Sequence, residues 1–288
     1  MNRILIISSG CDISSEVGAV LSAMEAPVEH AAGHADALRQ LRLRAFDVVI
    51  TNCEKGMKED LALLAEMRSI RPGLKCILLA RTSTPDEVIA AMQGHAFACY
   101  TPPFNAGEIA RVALSAATDG DWKNDIEILS AAPEWVSVRA QCRLITAERL
   151  LTFERELSAR LPEERRRQMM QAFREILLNA MEHGAAFDPE QMVEVIAIRT
   201  ARSFVFYVRD PGGGFRHERL KHAAIANPPD DPVAHVLERE KEGMRPGGYG
   251  LLVARGTVDE LIFNESGNEV LLIKYVQDGY VRDRAGSA

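Results

Sequence analysis

Phe173–Gly184 reads FREILLNAMEHG, and two later glycine-bearing segments, VRDPGGGF (208–215) and RPGGYGL (245–251), make sense as its partners. Ile176, Leu177, Ala180 and Met181 recur at helical spacing and supply a core face. Glu175, Asn179 and His183 repeat every fourth residue along another stripe. A carboxylate on that stripe can take a proton, and an Asn carbonyl can ligate a hard divalent cation whose other ligands are phosphate oxygens. The same spacing also describes a solvated helix face. SFVFYVR (203–209) has the aromatic and β-branched content of a strand and runs into Asp210 and three glycines. Gly212 and Gly214 let a ligand approach the backbone, and a carboxylate at the strand end can accept from an exocyclic amine; a surface turn would have the same composition. In the third segment Gly248, Tyr249 and Gly250 precede LLVARGTVDEL, which has helical apolar spacing. Free N–H groups at such a start can hold phosphate, with a hinge as the alternative. No Gly-Lys-Ser/Thr follows, so this is not a Walker A loop, and the glycines do not directly follow a βαβ strand as a dinucleotide fingerprint requires.

In order and spacing the three segments resemble the N, G1 and G2 boxes of the GHKL (histidine-kinase-like) ATPases, most closely the anti-sigma-factor serine kinases, over roughly residues 125–277. The resemblance implies that Asn179 binds Mg2+, Glu175 is the catalytic base and Asp210 reads the adenine amine of ATP. It further implies that Gly212, Gly214, Gly248, Gly250 and the adjoining Leu251 border the nucleotide under a lid. His183 matches a common N-box position, and helix packing is the other use of a histidine there. Arg216–Pro246 contains NPPDDP, which forbids continuous helix, and occupies the lid position. Its Arg216, Lys221, Arg239, Lys241 and Arg245 are offset by as many acids and describe a solvated surface as well as phosphate contacts.

With 288 residues, 47% hydrophobic and 26% charged, the chain is long enough for two domains. A net charge of -7 argues against generic attraction to nucleic acid or an anionic membrane. Arg165, Arg166 and Arg167 follow Glu163 and Glu164 and read as solvated helix surface. Five cysteines without metal-ligand spacing predict reduced thiols and a cytoplasmic location; MNRILIISS enters a strand without a secretory pattern, and no run approaches a membrane span.

Before residue 119, apolar runs (ILIIS, FDVVIT, CILLA, FACY) alternate with amphipathic segments, including helices near 14–24 and 59–70. A further strand and helix between Met24 and Phe46 complete an α/β doubly wound, five-stranded parallel domain. Its order and lengths resemble the receiver domain of response regulators. The resemblance places the acidic pair at Ser8 and Ser9, the phosphoacceptor at Asn52, the hydroxyl residue at Ala80 and the lysine at Pro102, so every chemical member is replaced. An amide cannot accept phosphate as an acyl phosphate, and two hydroxyls lack the charge that attracts a divalent cation. This predicts a pseudo-receiver used for contact. A shifted register would make Asp47 or Asp60 the acceptor, but Asp47 starts a strand and Asp60 lies on a helix.

The resulting organisation is a pseudo-receiver over 1–118, a linker over 119–125 and a GHKL α/β sandwich with a mixed sheet over 126–288. In the second domain DIEILS and EWVSVRAQCRL are expected strands, TAERLLTFERELSARL a helix, and Pro162 the first-turn residue of the next helix. LIFNESGNEVLLIKYV is expected to be a hairpin turning at Ser266 and Gly267, followed by a frayed tail after Tyr280. The anti-sigma resemblance implies a protein serine/threonine kinase using ATP and Mg2+ on an anti-anti-sigma (STAS) partner, with a sigma factor and a homodimer as further partners. The alternative is a nucleotide-dependent protein-binding regulator without phosphoryl transfer. A sensor histidine kinase is disfavoured because no helix pair with a phosphoacceptor His precedes the ATPase region; His30, His34 and His95 lie in receiver-like segments.

Overall fold

A strand buried on both faces reads as an unbroken apolar run, whereas one with a single covered face alternates. The two halves of this chain follow these two rules. The computed structural model describes residues 3–8, 12–51, 56–120, 122–214, 223–224, 227–228, 231–241 and 248–277. It forms two compact units: Met1–Asn124 with Glu148–Leu157, and Asp125–Ala147 with Ser158–Ala288.

In the first unit β1 (Ile4–Ile7), β2 (Val28–Ala31), β3 (Val48–Ile50), β4 (Lys75–Leu79) and β5 (Ala98–Tyr100) alternate with α1 (Asp12–Ala23), α2 (His34–Leu43), α3 (Met57–Ile70), α4 (Pro85–Gln93) and α5 (Ala106–Thr118). The ladders are parallel, in the order β2-β1-β3-β4-β5. β1, β3, β4 and β5 are buried along their whole length, as helices on both faces require. Thr84 opens α4 through a capping box with Glu87, with Pro85 in the first turn. This 2-1-3-4-5 order is the flavodoxin-like doubly wound arrangement of receivers.

The second unit begins with β6 (Ile126–Ala132), β7 (Trp135–Gln141) and the start of α6 (Leu144–Leu157), and continues with α7 (Glu163–His183), β8 (Met192–Arg199) and β9 (Ser203–Arg209). α8 (Ala234–Lys241), α9 (Gly250–Thr257), β10 (Glu260–Phe263) and β11 (Glu269–Tyr275) complete it. The sheet order is β10-β11-β9-β8-β7-β6. Its ladders are all antiparallel, so the mixed sheet expected from the sequence takes the antiparallel form. β8, β9 and β11 alternate strictly between buried and part-exposed residues. The buried set faces α7, where Phe173 stacks on Phe206 at 4.1 Å.

Two local expectations change. Pro162 is the residue capping α7 rather than a first-turn residue: its ψ of 142 is extended, and its carbonyl accepts from Arg166 N. The segment Glu148–Leu157 of α6, given by sequence to the second domain, groups with the first unit. The cause lies in its charged side chains. Buried Arg149 donates from Nε to Phe97 O and from Nη1 to Trp122 O, both at 3.0 Å, and lies over both rings. Buried Glu156 accepts from Thr101 N and Oγ1. No helix among the described residues is long and apolar enough to cross a membrane.

Candidate functional site

α7 is held by one apolar stripe, Met169, Ala172, Phe173, Ile176, Leu177, Ala180 and Met181, all buried. Rotation about the axis then fixes the polar stripe: Glu175 and Asn179 are half-buried and His183 is exposed. The first residue of α9 comes up against this stripe. A Cβ added to Gly250 would stand 2.8 Å from Glu175 Oε2 and 3.4 Å from Asn179 Nδ2, so glycine is what permits the approach. Glu175 also lies 3.7 Å from the Arg174 guanidinium. Tyr249, which caps α9, makes no side-chain cap, so the first N–H groups of that helix are not taken up by a capping side chain.

Asp210 enters from the other side. Its N–H donates to Asn268 O at 3.0 Å, and its Oδ1 accepts from Gly212 N at 2.8 Å. Burial pushes its carboxyl above the ordinary range, partly offset by the Gly212 N–H. The end of α7 touches this residue directly: a Cβ on Gly184 would fall 2.5 Å from Asp210 Cβ. Gly212 packs back on Gly184, and an added Cβ there would lie 2.8 Å from Gly184 O. Gly214 has φ +76, and its Cβ would sit 2.0 Å from Ser266 O, inside any allowed contact. Gly248 has φ +91 and its carbonyl accepts from Ala224 N. Leu251 is buried.

The structure therefore brings Glu175, Asn179 and Gly250 together at one end of α7's polar stripe, and Asp210 and Gly212 together at Gly184. Of the five lid cations, Arg216, Lys221 and Arg245, together with the side chain of Arg239, lie outside the described residues, and Lys241 is exposed on α8 beside Glu238. The tail from Tyr280 onward also lies outside them.

Three features escaped sequence reasoning. Gly184 was part of the opening motif, but its role is a close approach that only the fold creates. The turn between β10 and β11 braces the Asp210 loop: Asn264 Oδ1 accepts from Gly267, Asn268 and Glu269 N, and Asn268 Nδ2 donates to Gly212 O. The turn dipeptide Ser266-Gly267 was legible, whereas the contact with residues more than fifty positions earlier was not. His235 is fully buried, pairs with Asn227 at 2.8 Å and meets the Tyr249 ring edge-on at 4.6 Å.

The receiver positions are placed as follows. Ser8 ends β1, with its N–H on Ala31 O; Ala80 is buried after β4, with its N–H on Tyr100 O; Pro102 is exposed after β5. Ser9 and Asn52 lie outside the described residues. Asp60 is only 1% exposed, accepts from Thr51 Oγ1 at 2.6 Å and lies 3.4 Å from His34 Nε2. Asp47, at the opposite end of β3, accepts from Arg3 N.

Residues 138–274 match the family described as Histidine kinase-like ATPase domain. The second unit carries that domain. The first unit has the 2-1-3-4-5 order that receivers and flavodoxins share, so the chain joins a receiver-like fold to that domain. Among curated proteins, it is 28% identical over 150 residues to the transcriptional regulatory proteins GlrR of Escherichia coli K12 and QseF of Escherichia coli O157:H7. Each alignment covers 50% of this chain and 33% of the relative, so the chain spans about a third of the length of these relatives. Among solved structures, a CheY-like receiver domain protein from Methanospirillum hungatei JF-1 is 21% identical, with 42% of this chain and 99% of that one covered, at a TM-score of 0.37. A response regulator from Thermotoga maritima is 19% identical, with 41% and 100% covered, at a TM-score of 0.38.

Proposed function

We propose that this protein is an ATP- and Mg2+-dependent protein serine/threonine kinase of the anti-sigma-factor type, acting in the cytoplasm on a small STAS-type regulatory partner. The observation that carries the reading is the placement of the half-exposed Glu175 carboxylate beside Asn179 and the glycine start of α9. A general base, a cation ligand and uncapped N–H groups then share one cradle.

The residues fit a nucleotide with its cation. Gly250 leaves space that a Cβ would fill, and the second oxygen of Asp210 carries no hydrogen bond among the described residues. Among them there is also no cluster of three or more His, Cys, Asp or Glu able to hold a metal. Asn179 Oδ1 would thus ligate the cation with oxygens of the nucleotide and water, as a hard divalent ion prefers. A bound ATP would supply the γ-phosphoryl group, the acceptor oxygen bonding to phosphorus as the β–γ bridging bond breaks and ADP leaves. Asp210 Oδ2 would accept from the adenine amine and so select the base. Glu175 Oε2 takes the proton of the acceptor hydroxyl, and the fixed position of α7 makes the encounter effectively intramolecular.

The test is incubation of the full chain with labelled ATP, Mg2+ and purified STAS proteins, followed by mapping of the modified residue. Label on a Ser or Thr of one partner is the expected result. ATP binding without transfer to any partner would replace the kinase with the nucleotide-dependent binding regulator, and no ATP binding at millimolar concentration would remove both.

A further inference from the structure

The described residues between the Asp210 loop and α9 return to the start of that helix at two neighbouring positions. Ala224 N donates to Gly248 O at 2.8 Å, and the His235 and Tyr249 rings meet edge to face at 4.6 Å. Asn227 joins the two attachments: its N–H donates to Ala224 O, and its side chain is bonded to His235. The contacts run through Gly248, Ala224, Asn227, His235 and Tyr249, and the circuit closes on the peptide bond between Gly248 and Tyr249. Ala223, Ala224 and His235 are buried, so the circuit is packed as well as bonded.

This network fixes the chemistry of the histidine. Asn227 Oδ1 accepts from His235 N at 2.9 Å, which sets the amide orientation and leaves the NH2 group for Pro232 O and His235 Nδ1. Nδ1 is then an acceptor, 2.8 Å from the amide nitrogen, and the ring proton lies on Nε2. Nε2 is buried and makes no hydrogen bond among the described residues. A buried donor without an acceptor costs free energy, so a residue that only filled this space would be apolar. What the imidazole adds is one ring with two uses: Nδ1 ties it to Asn227, and its body holds the Tyr249 ring.

Tyr249 is the residue through which this hold reaches the candidate site. Its carbonyl accepts from Val253 N as α9 begins, and the next residue is Gly250, which lies against Glu175 and Asn179. Tyr249 is itself 45% exposed, so burial alone does not keep it in place. We infer, on the nucleotide reading proposed above, that His235 and Asn227 are positioning residues for the phosphate end of the site. By holding Gly248 and Tyr249 they fix the start of α9 where Gly250 meets the Glu175 and Asn179 stripe, and with it the N–H groups that would face phosphate. The adenine end is held separately, by the loop around Asp210. A ligand without phosphate therefore does not feel the circuit.

The experiment is calorimetry on the full-length protein with ATP and Mg2+ and, separately, with adenosine. His235→Leu and Asn227→Ala should each weaken ATP by roughly tenfold, the scale of one hydrogen bond to a charged group, and leave adenosine within about twofold. The double variant should lose no more than either single one, because both residues act through one circuit. His235→Asn keeps an amide acceptor for Asn227 but removes the ring, and Tyr249→Ala removes the other ring. Both should give the same selective loss, and they decide the matter if the leucine variant fails to fold. Unchanged ATP affinity in these variants, beside a wild type that binds ATP, overturns the inference and leaves the nucleotide reading standing. Equal losses for ATP and adenosine overturn it as well, since they mark a general structural role. A wild type that binds neither ligand removes the nucleotide reading and the inference with it.

Discussion

Both units hold carboxylates within their folds, and they treat those side chains in opposite ways. In the first, Asp60 is sealed, with Thr51 on one oxygen and His34 near the other. In the second, Glu175 and Asp210 stand half-exposed around glycines whose missing Cβ atoms make room. A carboxylate that is buried and bonded stabilises a fold, whereas one that is half-buried and only partly satisfied costs stability and is available for chemistry. The fusion therefore joins a unit whose Asp60 is spent on structure to one whose Glu175 and Asp210 stand part-exposed at the candidate site.

The sharpest way to break this contrast is Glu175→Gln. If the carboxylate is the base, transfer should slow by about 10²–10⁴ in single-turnover measurements while ATP affinity by calorimetry stays within a few-fold. A fall in melting temperature with no selective loss of rate would return Glu175 to the structural class of Asp60. Asn179→Ala should differ from it by losing Mg2+-dependent binding and transfer together.

Next in size is the structural side. Arg149→Met removes two hydrogen bonds from a buried guanidinium to main-chain carbonyls and should destabilise the first unit by about 2–4 kcal/mol in denaturant melts. ATP affinity should not change. A variant as stable as the wild type would mean that the segment Glu148–Leu157 is not fastened as described. The same fastening has a practical consequence: removing residues 1–118 strips Thr101 from buried Glu156 and Phe97 from buried Arg149. Nucleotide binding is best measured in the full chain.

This segment shows where sequence reading stopped. Helix and strand periodicity gave both sheets and nearly every element, because amphipathic spacing is local. The polar stripe of α7 and the glycines were legible for the same reason. The helix containing Arg149, Glu154 and Glu156 was legible but the burial of these side chains was not, since for Arg149 it depends on a carbonyl fifty residues away. Gly184 and Asn268 act through contacts with Asp210 and Gly212, and no local pattern announces a close approach between distant segments.

Asp210→Asn should weaken ATP by about ten- to a hundredfold, the cost of about 1.5–3 kcal/mol for losing a hydrogen bond to a charged group. Its effect on stability has the other sign. The folded carboxyl titrates above its unfolded value, so between the two the folded state holds more protons, and stability falls as pH rises through that window. At neutral pH the charged form is the one that burial penalises. The amide carries no such penalty and should melt at the same temperature or slightly higher, with a flatter pH profile. Weaker ATP binding together with lower stability would make Asp210 structural.

The smallest expected effect is none at all, in the first unit. Acetyl phosphate with Mg2+ should leave no acid-labile aspartyl phosphate there by mass spectrometry. The expectation rests on the receiver resemblance, which puts Asn52, with no carboxylate to form an acyl phosphate, at the phosphoacceptor position and Ser8 and Ser9 at the acidic pair. The shifted alternatives fare no better: Asp60 is closed off from solvent, and Asp47 holds Arg3 N at the far end of β3. Asn52→Asp isolates the missing group. If the absence of a carboxylate alone silences the domain, this change restores a labile adduct. If the lost cation site matters as much, the variant stays unmodified, because Ser8 and Ser9 cannot neutralise the incoming phosphate through a bound Mg2+. The latter is expected, since two neutral hydroxyls bring no charge to the cation. An aspartyl phosphate in the wild type would erase the contrast between the two units.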